Sequence, residues 1–171
     1  LLDRLVASGM LPEENIHEMG SDTRAPQTVA AADDATDNAL LDAAAWDHEQ
    51  TMTAILGPQP AMDLVVLGMG PDGHYASLFP GHEEINEKNR RVVGVNHSPK
   101  LPPLRLSLTA PMLAHSKRTW VFTAGSGKAK ALAQVLATPK NPDFPASFIT
   151  GTEECIWFTD ASAAAHVNGS I

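Results

Sequence analysis

Apolar residues recur at helical spacing in the first third of the chain. They occupy positions 1, 2, 5 and 6, and Gly9 follows where a glycine that ends a helix is expected. A second pattern runs from Pro26 to about Leu56, and Gly57 followed by Pro58 ends it. The spacing therefore predicts a short helix at the start of the chain and a long helix after it.

Short aliphatic and β-branched runs predict strands in the rest of the chain. The predicted strands cover residues 62–68, 91–96, 104–109, 119–123 and 156–159. Helices are predicted between and after them at 111–115, at 127–137 with Ser126 as the N-cap, and at 161–165. This alternation predicts an α/β, Rossmann-like fold with a mostly parallel sheet and helices on both faces. We expect residues 1–171 to form a single α/β domain.

A glycine-rich loop directly follows the strand at 62–68. Gly68, Gly70 and Gly73 have no Cβ, so the backbone can take positive φ and approach a ligand closely. Their spacing also matches the dinucleotide-binding fingerprint, which needs a long helix at the third glycine and an acidic residue about 20 positions later. Neither feature is present, because Pro80 and Gly81 interrupt the segment and the next strand has no Asp or Glu. The loop is expected to bind a ligand at the carboxyl edge of the sheet, without a nicotinamide or flavin cofactor.

His74 ends this loop and is the strongest candidate for chemistry. A neutral imidazole near pH 7 can act as a general base. Asp72 stands two residues earlier, and two roles are open for its carboxylate: it orients the imidazole, or it caps the turn through the backbone.

Three cationic side chains further along the chain are candidates for binding an anion. Arg105 lies in an apolar strand, where an unpaired guanidinium is costly, so it is expected to meet a negative charge. Lys128 lies in the first turn of a predicted helix, where a bound phosphate would explain a cation. Lys100 lies in a proline-rich turn, from which it reaches either the same pocket or solvent.

Composition and charge narrow the class of partner. The formal net charge is −8, which argues against a nucleic-acid or anionic-membrane partner. Ten of the twelve Lys and Arg residues lie between Lys88 and Lys140, consistent with an anionic small molecule bound by the later half. The single cysteine, Cys155, excludes an intramolecular disulfide, so we expect a reducing, cytoplasmic location. The histidines and carboxylates lack metal-ligand spacing, and no metal is expected.

Residues 68–81 read Gly-Met-Gly-Pro-Asp-Gly-His-Tyr-Ala-Ser-Leu-Phe-Pro-Gly and resemble the central motif of the 6-phosphogluconolactonases. That family belongs to a superfamily that includes glucosamine-6-phosphate deaminase. The resemblance continues through the proline-rich turn and Arg-containing strand at 98–109, the Gly-Ser-Gly-Lys-Ala turn at 125–129 and the closing strand at 157–160.

The resemblance is specific from about residue 62 to residue 165, and earlier only residues 11–17 are similar. Two departures from the family pattern stand out. Tyr75 replaces the usual Thr, and the family's Gly/Ser-rich phosphate loop and Asp-Glu-Arg segment have no counterpart. The resemblance therefore implies the carboxyl-terminal two-thirds of a longer chain.

The resemblance also implies an activity, the hydrolysis of 6-phosphogluconolactone to 6-phosphogluconate in the pentose phosphate pathway. His74 would deprotonate a water that attacks the lactone carbonyl, while Arg105 faces the substrate and cationic groups stabilise the oxyanion. No metal or organic cofactor is implied. The sequence does not predict the oligomeric state.

Two other functions are weighed against the lactonase. Aminosugar-phosphate deaminases and isomerases continue after the comparable histidine with Asn-Glu-Pro, whereas Ser77-Leu78-Phe79-Pro80 contains no acidic residue. A non-catalytic sugar-phosphate-sensing domain would need a DNA-binding module, and none is visible in the sequence. Phosphate binding alone would also not require the imidazole of His74.

Overall fold

The computed structural model of the protein describes residues 2–20, 24, 28 and 32–167. Five strands lie in this part of the chain: β1 (Leu64–Gly68), β2 (Val92–Val95), β3 (Arg105–Leu108), β4 (Arg118–Thr123) and β5 (Glu154–Thr159). β1, β4 and β5 form a parallel sheet in the order β1-β4-β5, which confirms an α/β fold with a parallel sheet.

The strands β2 and β3 pair with each other in a separate antiparallel ribbon. The sequence predicts them in the parallel sheet, and the structure corrects that prediction. Only residues 96–104 connect the two strands, and a parallel pair needs a crossover of a dozen or more residues. The short connection therefore requires an antiparallel pair.

The helices whose bounds fall in the described ranges are α1 (Leu2–Ala7), α2 (Asp34–Leu56), α3 (Ala110–Ala114) and α4 (Ala129–Ala137). Asp33 caps α2 by accepting the backbone N–H of Thr36 at 2.8 Å, and Gly57 ends it with φ of +86°. Of the earlier residues predicted as helix, 26, 27 and 29–31 lie outside the described part. In the described ranges no helix is both long and apolar enough to cross a bilayer.

Two predicted helix features differ in the structure. Ser126 does not cap α4, because residues Ser126–Lys128 form a single 3-10 turn that leads directly into the helix. Residues 161–165 form a hydrogen-bonded turn instead of a helix, closed by the N–H of Ala164 and the carbonyl of Asp160 at 3.0 Å. The Asp160 side chain also accepts the N–H of Ala163 at 2.7 Å, so local capping contacts define this turn.

The main core lies on one face of the parallel sheet. Val65 of β1 and Leu132 and Val135 of α4 are almost fully buried there, together with Leu78 from the loop after β1. A second cluster joins α2 to the β2-β3 ribbon through Ala45, Met52, Val92 and Met112. Burial of these apolar side chains is the main favourable contribution to the folded state.

The opposite face of the sheet carries large apolar side chains that are exposed. In the strand register, Val66 of β1 pairs with Trp120 of β4, and Trp120 pairs with Ile156 of β5, so these side chains share the face opposite to Val65. Four apolar side chains of this face are 40% to 59% exposed: Leu64, Val66, Phe122 and Phe158. Within the described residues, the sheet is therefore covered well on one face only, although parallel sheets are normally buried on both.

Candidate active site

The loop after β1 folds into a closed turn at the carboxyl edge of the sheet. The N–H of Gly70 donates to the carbonyl of His74 at 2.8 Å, and the N–H of Gly73 donates to the carbonyl of Gly70 at 3.1 Å. A Cβ on Gly70 would overlap the His74 ring and the Asp72 carboxylate. Gly73 has φ of +80°, a conformation that favours glycine. Gly68, by contrast, has only the Phe122 carbonyl oxygen within reach of a Cβ, at 3.9 Å.

Asp72 contacts both the backbone and the ring of His74. Its Oδ1 accepts the backbone N–H of His74 at 3.3 Å and lies 2.5 Å from the ring atom Nδ1. Both roles that the sequence leaves open for this carboxylate are therefore present together. An ionised carboxylate only accepts hydrogen bonds, so Nδ1 of His74 carries the hydrogen and Nε2 keeps its lone pair.

Electrostatics keep Asp72 in its charged form. Partial burial acts to raise the pKa of Asp72, but the hydrogen bonds that it accepts from the ring and the backbone of His74 outweigh burial, and the pKa is lowered. The side chain of His74 is 17% exposed and that of Asp72 is 35% exposed, so the pair is shielded but reachable from solvent.

Lys100 brings a positive charge to this pair. Its Nζ lies 3.6 Å from Oδ2 of Asp72 and 3.3 Å from Nδ1 of His74. Because Nδ1 already donates to Asp72, the ammonium is held by the carboxylate and only approaches the imidazole. Lys100 is the predicted cation that the structure brings to His74, across 26 positions of sequence.

The ring of Phe79 packs against the imidazole of His74, a contact that was not predicted from the sequence. Its ring is fully buried, and its centroid lies 4.6 Å from that of His74. His82 lies on the same aromatic ring, with a centroid separation of 5.7 Å. A Phe five positions after a His carries no local pattern that would signal this contact.

The guanidinium of Arg105 is bonded to the backbone of the proline-rich turn. Its Nε donates to the carbonyl of Pro102 at 3.0 Å, and its Nη2 donates to the carbonyls of Lys100 at 3.1 Å and Leu101 at 2.6 Å. Its Cζ also lies 5.8 Å from the centroid of the Phe79 ring. The negative partner expected for this cation is thus a set of carbonyl dipoles, and the predicted substrate contact stays a prediction.

Lys128 and the start of α4 are also engaged within the chain. The ammonium of Lys128 donates to the carbonyl of Met69, at the beginning of the glycine loop. The backbone N–H of Gly125 donates to both carboxylate oxygens of Asp160 at 3.1 Å. Hydrogen bonds from Ala163 and Gly125 lower the pKa of Asp160. The ammonium that the sequence assigns to a phosphate is therefore already bonded to a carbonyl in the folded chain.

A separate open cavity of about 760 Å³ lies beside α4. Pro71 is the residue through which it adjoins the glycine loop, and His74, Asp72 and Lys100 do not line it. Its lining is Pro71, Lys130, Ala131, Ala133, Gln134, Leu136, Ala137, Phe144, His166 and Val167. The residues at His74 therefore do not open into this cavity.

The arrangement at His74 is suited to removing a proton. Nε2 has a free lone pair, Nδ1 is fixed on a carboxylate that stabilises an imidazolium, and a lysine ammonium stands nearby to offset developing negative charge. A bound water or hydroxyl that meets Nε2 could be deprotonated beside an electrophilic carbonyl.

Comparison with known proteins identifies relatives of this chain. A 6-phosphogluconolactonase of Mycobacterium tuberculosis is 37% identical over 158 residues, which cover 91% of this chain and 60% of that protein. The human 6-phosphogluconolactonase is 42% identical over 107 residues, which cover 61% of this chain and 41% of that protein. The chain thus spans about 60% of the length of the bacterial relatives that it matches.

Solved structures agree with the sequence comparison. The crystal structure of 6-phosphogluconolactonase from Leishmania guyanensis superposes with a TM-score of 0.70 at 25% identity, over 82% of this chain and 58% of that protein. The family described as glucosamine-6-phosphate isomerases/6-phosphogluconolactonase matches residues 1–157. With most of its length matched and the fold shared, the chain belongs to the glucosamine-6-phosphate isomerase/6-phosphogluconolactonase family.

Proposed function

We propose that this chain carries the catalytic histidine of a 6-phosphogluconolactonase, which hydrolyses 6-phosphogluconolactone to 6-phosphogluconate in the pentose phosphate pathway. The observation that carries the proposal is the Asp72–His74 pair, whose 2.5 Å contact leaves Nε2 as a base. Relatives named 6-phosphogluconolactonase in a bacterium and in humans support the choice of substrate.

In the first proposed step, Nε2 of His74 takes a proton from a water molecule as the water oxygen attacks the lactone carbonyl carbon. The C=O electron pair moves to oxygen, and the resulting tetrahedral oxyanion is stabilised by a cation. Asp72 stabilises the imidazolium formed at this stage. The bond from the carbonyl carbon to the ring oxygen then breaks, His74 returns its proton to that oxygen, and the sugar acid is released.

Lys100 is the cation that the proposal places at the substrate. Its side chain is 40% exposed, and its Nζ is close to both catalytic partners, so it can meet either the oxyanion or the phosphate. Arg105 and Lys128 each spend donors on backbone carbonyls, Arg105 on the proline-rich turn and Lys128 on Met69, so the proposal gives Lys100 the first contact with the substrate. The glycines at 70 and 73 supply the space and the backbone shape that the loop needs.

An aminosugar-phosphate deaminase or isomerase is the second candidate, because the family description includes that activity. Residues 77–80 contain no acidic side chain, and Ser77 is buried, with its N–H bonded to the hydroxyl of Ser107 at 3.1 Å. Among the described residues, Asp72 is the carboxylate in contact with His74, and it is committed to Nδ1. The structure therefore favours the lactonase.

The physiological setting that we propose is the cytoplasm. The single cysteine of the chain fits a reducing compartment, and a phosphorylated sugar lactone is an intermediate of soluble metabolism. The proposed partner is this small anionic substrate, with no nucleic acid or membrane involved.

The proposed function is tested by measuring the opening of 6-phosphogluconolactone above its spontaneous background. The parent chain is compared with His74→Ala and with a control, His115→Ala, because His115 is an exposed residue at the end of α3. Glucosamine 6-phosphate is assayed in parallel, and binding of 6-phosphogluconate is followed by NMR.

Acceleration that is lost in His74→Ala and kept in His115→Ala supports the proposal, with a loss of about 10² to 10⁴ in rate. Acceleration that survives in His74→Ala keeps the reaction but overturns the role of His74. Turnover of glucosamine 6-phosphate alone identifies the deaminase. Binding of 6-phosphogluconate without turnover of either substrate identifies a sensing domain, and absence of both overturns the proposal.

A further inference from the structure

The proline-rich turn that carries Lys100 is held by hydrogen bonds from the Arg105 side chain. Arg105 donates three hydrogen bonds to the carbonyls of residues 100, 101 and 102, at distances between 2.6 and 3.1 Å. Ser98 adds to this bracing, because its hydroxyl donates to the Lys100 carbonyl at 2.9 Å and its N–H donates to the Pro103 carbonyl at 2.9 Å. The main chain at Lys100 is thus held where its ammonium reaches Asp72.

The same guanidinium also lies near Phe79, the aromatic ring that packs against His74. Its Cζ lies 5.8 Å from the centroid of the Phe79 ring, within the range of a cation-π contact. Phe79 is fully buried and lies against the His74 imidazole, with 4.6 Å between centroids. Arg105 is therefore connected to both members of the cluster, to Lys100 through the turn and to His74 through one aromatic ring.

The geometry of these contacts gives Arg105 a role in the ligand-free protein. A guanidinium presents its donors in a fixed fork, and here Nε and Nη2 both face the turn. The turn is thus held by one edge of the guanidinium, before any ligand binds. The fork suits a set of carbonyls at fixed spacing better than a lysine ammonium would.

We infer that Arg105 is a positioning residue, which holds Lys100 against Asp72 and steadies Phe79 behind His74 before any substrate is bound. The effect of Arg105 on catalysis rests on the proposed function, whereas its positioning of Lys100 and Phe79 does not depend on that function. It is a property of the ligand-free protein, so it can be observed without turnover.

The test uses protein with ¹⁵N-labelled histidine and compares the ring nitrogen signals of His74 at one fixed pH, without ligand. The variants are Arg105→Met, Lys100→Met and the double variant. Arg118→Met is the matched control, because Arg118 is a half-exposed arginine that lies 3.6 Å from Glu153 at the start of β4. A role limited to substrate binding would not change a ligand-free spectrum.

The expected result is a shift of the His74 ring signals in Arg105→Met in the same direction as in Lys100→Met. The double variant shifts no further than Lys100→Met alone, since both changes remove the same ammonium from the pair. Arg118→Met keeps the parent signals. Where turnover is measurable, Arg105→Met lowers kcat by a similar factor to Lys100→Met, and the double variant is no slower.

Three results would overturn the inference. The first is a His74 spectrum in Arg105→Met that equals that of the parent, and the second is additive shifts from the Arg105 and Lys100 variants. If Arg105→Met does not fold, Arg105→Lys is read in its place, because it keeps a cation but loses the fork. The third is failure of both Arg105 variants to fold while Arg118→Met folds, which would assign Arg105 to stability alone.

The same experiment separates this inference from the proposed function. If the parent opens no lactone and the His74 signals still shift in Arg105→Met, the lactonase proposal fails and the positioning role stands. If the parent opens the lactone and the His74 signals do not shift in Arg105→Met, the proposed function stands and the positioning role fails.

Discussion

The Oδ1 atom of Asp72 lies 2.5 Å from Nδ1 of His74 and also accepts the backbone N–H of the same residue at 3.3 Å. One carboxylate oxygen therefore fixes the turn of the loop and the orientation and tautomer of the ring. Because His74 outweighs the effect of partial burial and lowers the pKa of Asp72, this carboxylate is charged throughout the neutral range.

Replacing Asp72 by Asn is expected to lower kcat by about 10² to 10⁴. The amide can turn its NH₂ group toward the ring, so that Nδ1 becomes the acceptor and Nε2 carries the hydrogen. The measurement is the lactone-opening rate, with Asp63→Asn as a control, since Asp63 forms an exposed ion pair with Lys117 at 2.6 Å. A kcat of Asp72→Asn within threefold of the parent would contradict the assigned tautomer.

Replacing Gly70 by Ala is expected to reduce both activity and stability. The new Cβ would overlap the His74 ring and the Asp72 carboxylate, so the catalytic pair must move. We expect a loss of about 1–3 kcal/mol in the free energy of unfolding and at least a tenfold loss of activity, as for other overpacked sites. Denaturant unfolding and the lactone assay measure the two effects.

Gly127→Ala is the matched control for this substitution. No atom lies within 4 Å of a Cβ at Gly127, and its φ is not in the positive range. Its stability should stay within about 0.5 kcal/mol of the parent or rise slightly. Equal effects of the two substitutions would show that the crowding at Gly70 is not the cause.

Glu49 of α2 should give the fold a specific dependence on pH. This buried carboxylate accepts the N–H groups of Arg91 at 2.5 Å and Val92 at 2.9 Å, and the Nε of Arg90 at 3.1 Å. Burial acts to raise the pKa of Glu49, but these partners together outweigh it and the pKa lies below its ordinary value of 4.5. The stabilisation is therefore complete above about pH 4.5 and is lost as pH falls through the lowered pKa.

The variant Glu49→Gln is expected to lower the free energy of unfolding at pH 7 by about 2 kcal/mol. The difference from the parent should begin to shrink below about pH 4.5, where Glu49 of the unfolded parent takes up a proton, and it disappears below the lowered pKa of the folded state. Urea unfolding at pH 7 and pH 3.5 measures both values, with Glu153→Gln as an exposed control. A deficit that is equal at the two pH values would rule out the charge of Glu49 as its source.

The exposed apolar face of the sheet predicts self-association. Phe122 and Val66 are 50% and 59% exposed, and contiguous apolar patches of this kind favour contacts between molecules. The double variant Phe122→Thr/Val66→Thr should lower concentration-dependent light scattering while changing the free energy of unfolding by less than about 0.5 kcal/mol for each substitution.

Val121→Thr is the control on the covered face of the same strand. Val121 is fully buried on the covered face, so a hydroxyl there should cost about 1–3 kcal/mol of stability and leave scattering of the native protein unchanged. Scattering that is the same for the parent and for the exposed-face variant would show that this face does not drive association.

Much of the fold could be predicted from local patterns. The apolar run at 62–68, the end of the long helix at Gly57 and the strand at 119–123 appear in the structure within a few residues of their predicted bounds, whereas the long helix begins at Asp34 and not at Pro26. The pairing of β2 with β3 could not be predicted in this way, because a strand pattern specifies which residues are extended and not which strand lies beside them. The exposure of one sheet face could not be predicted either, because an aliphatic strand has the same sequence pattern whether or not another layer covers it.

For the site, the sequence alone determined the glycine loop and the place of Asp72 and His74 within it, because these contacts span four residues or fewer and depend on local backbone conformation. Only the tertiary structure decided what the long cationic side chains meet. Lys100 reaches His74 across 26 positions, Lys128 reaches the Met69 carbonyl across 59, and Arg105 turns its fork onto its own turn. The two lysines find their partners through the packing of distant segments, which no local pattern encodes. The partners of Arg105 lie only three to five positions earlier, but the fold of the turn decides that its carbonyls face the guanidinium.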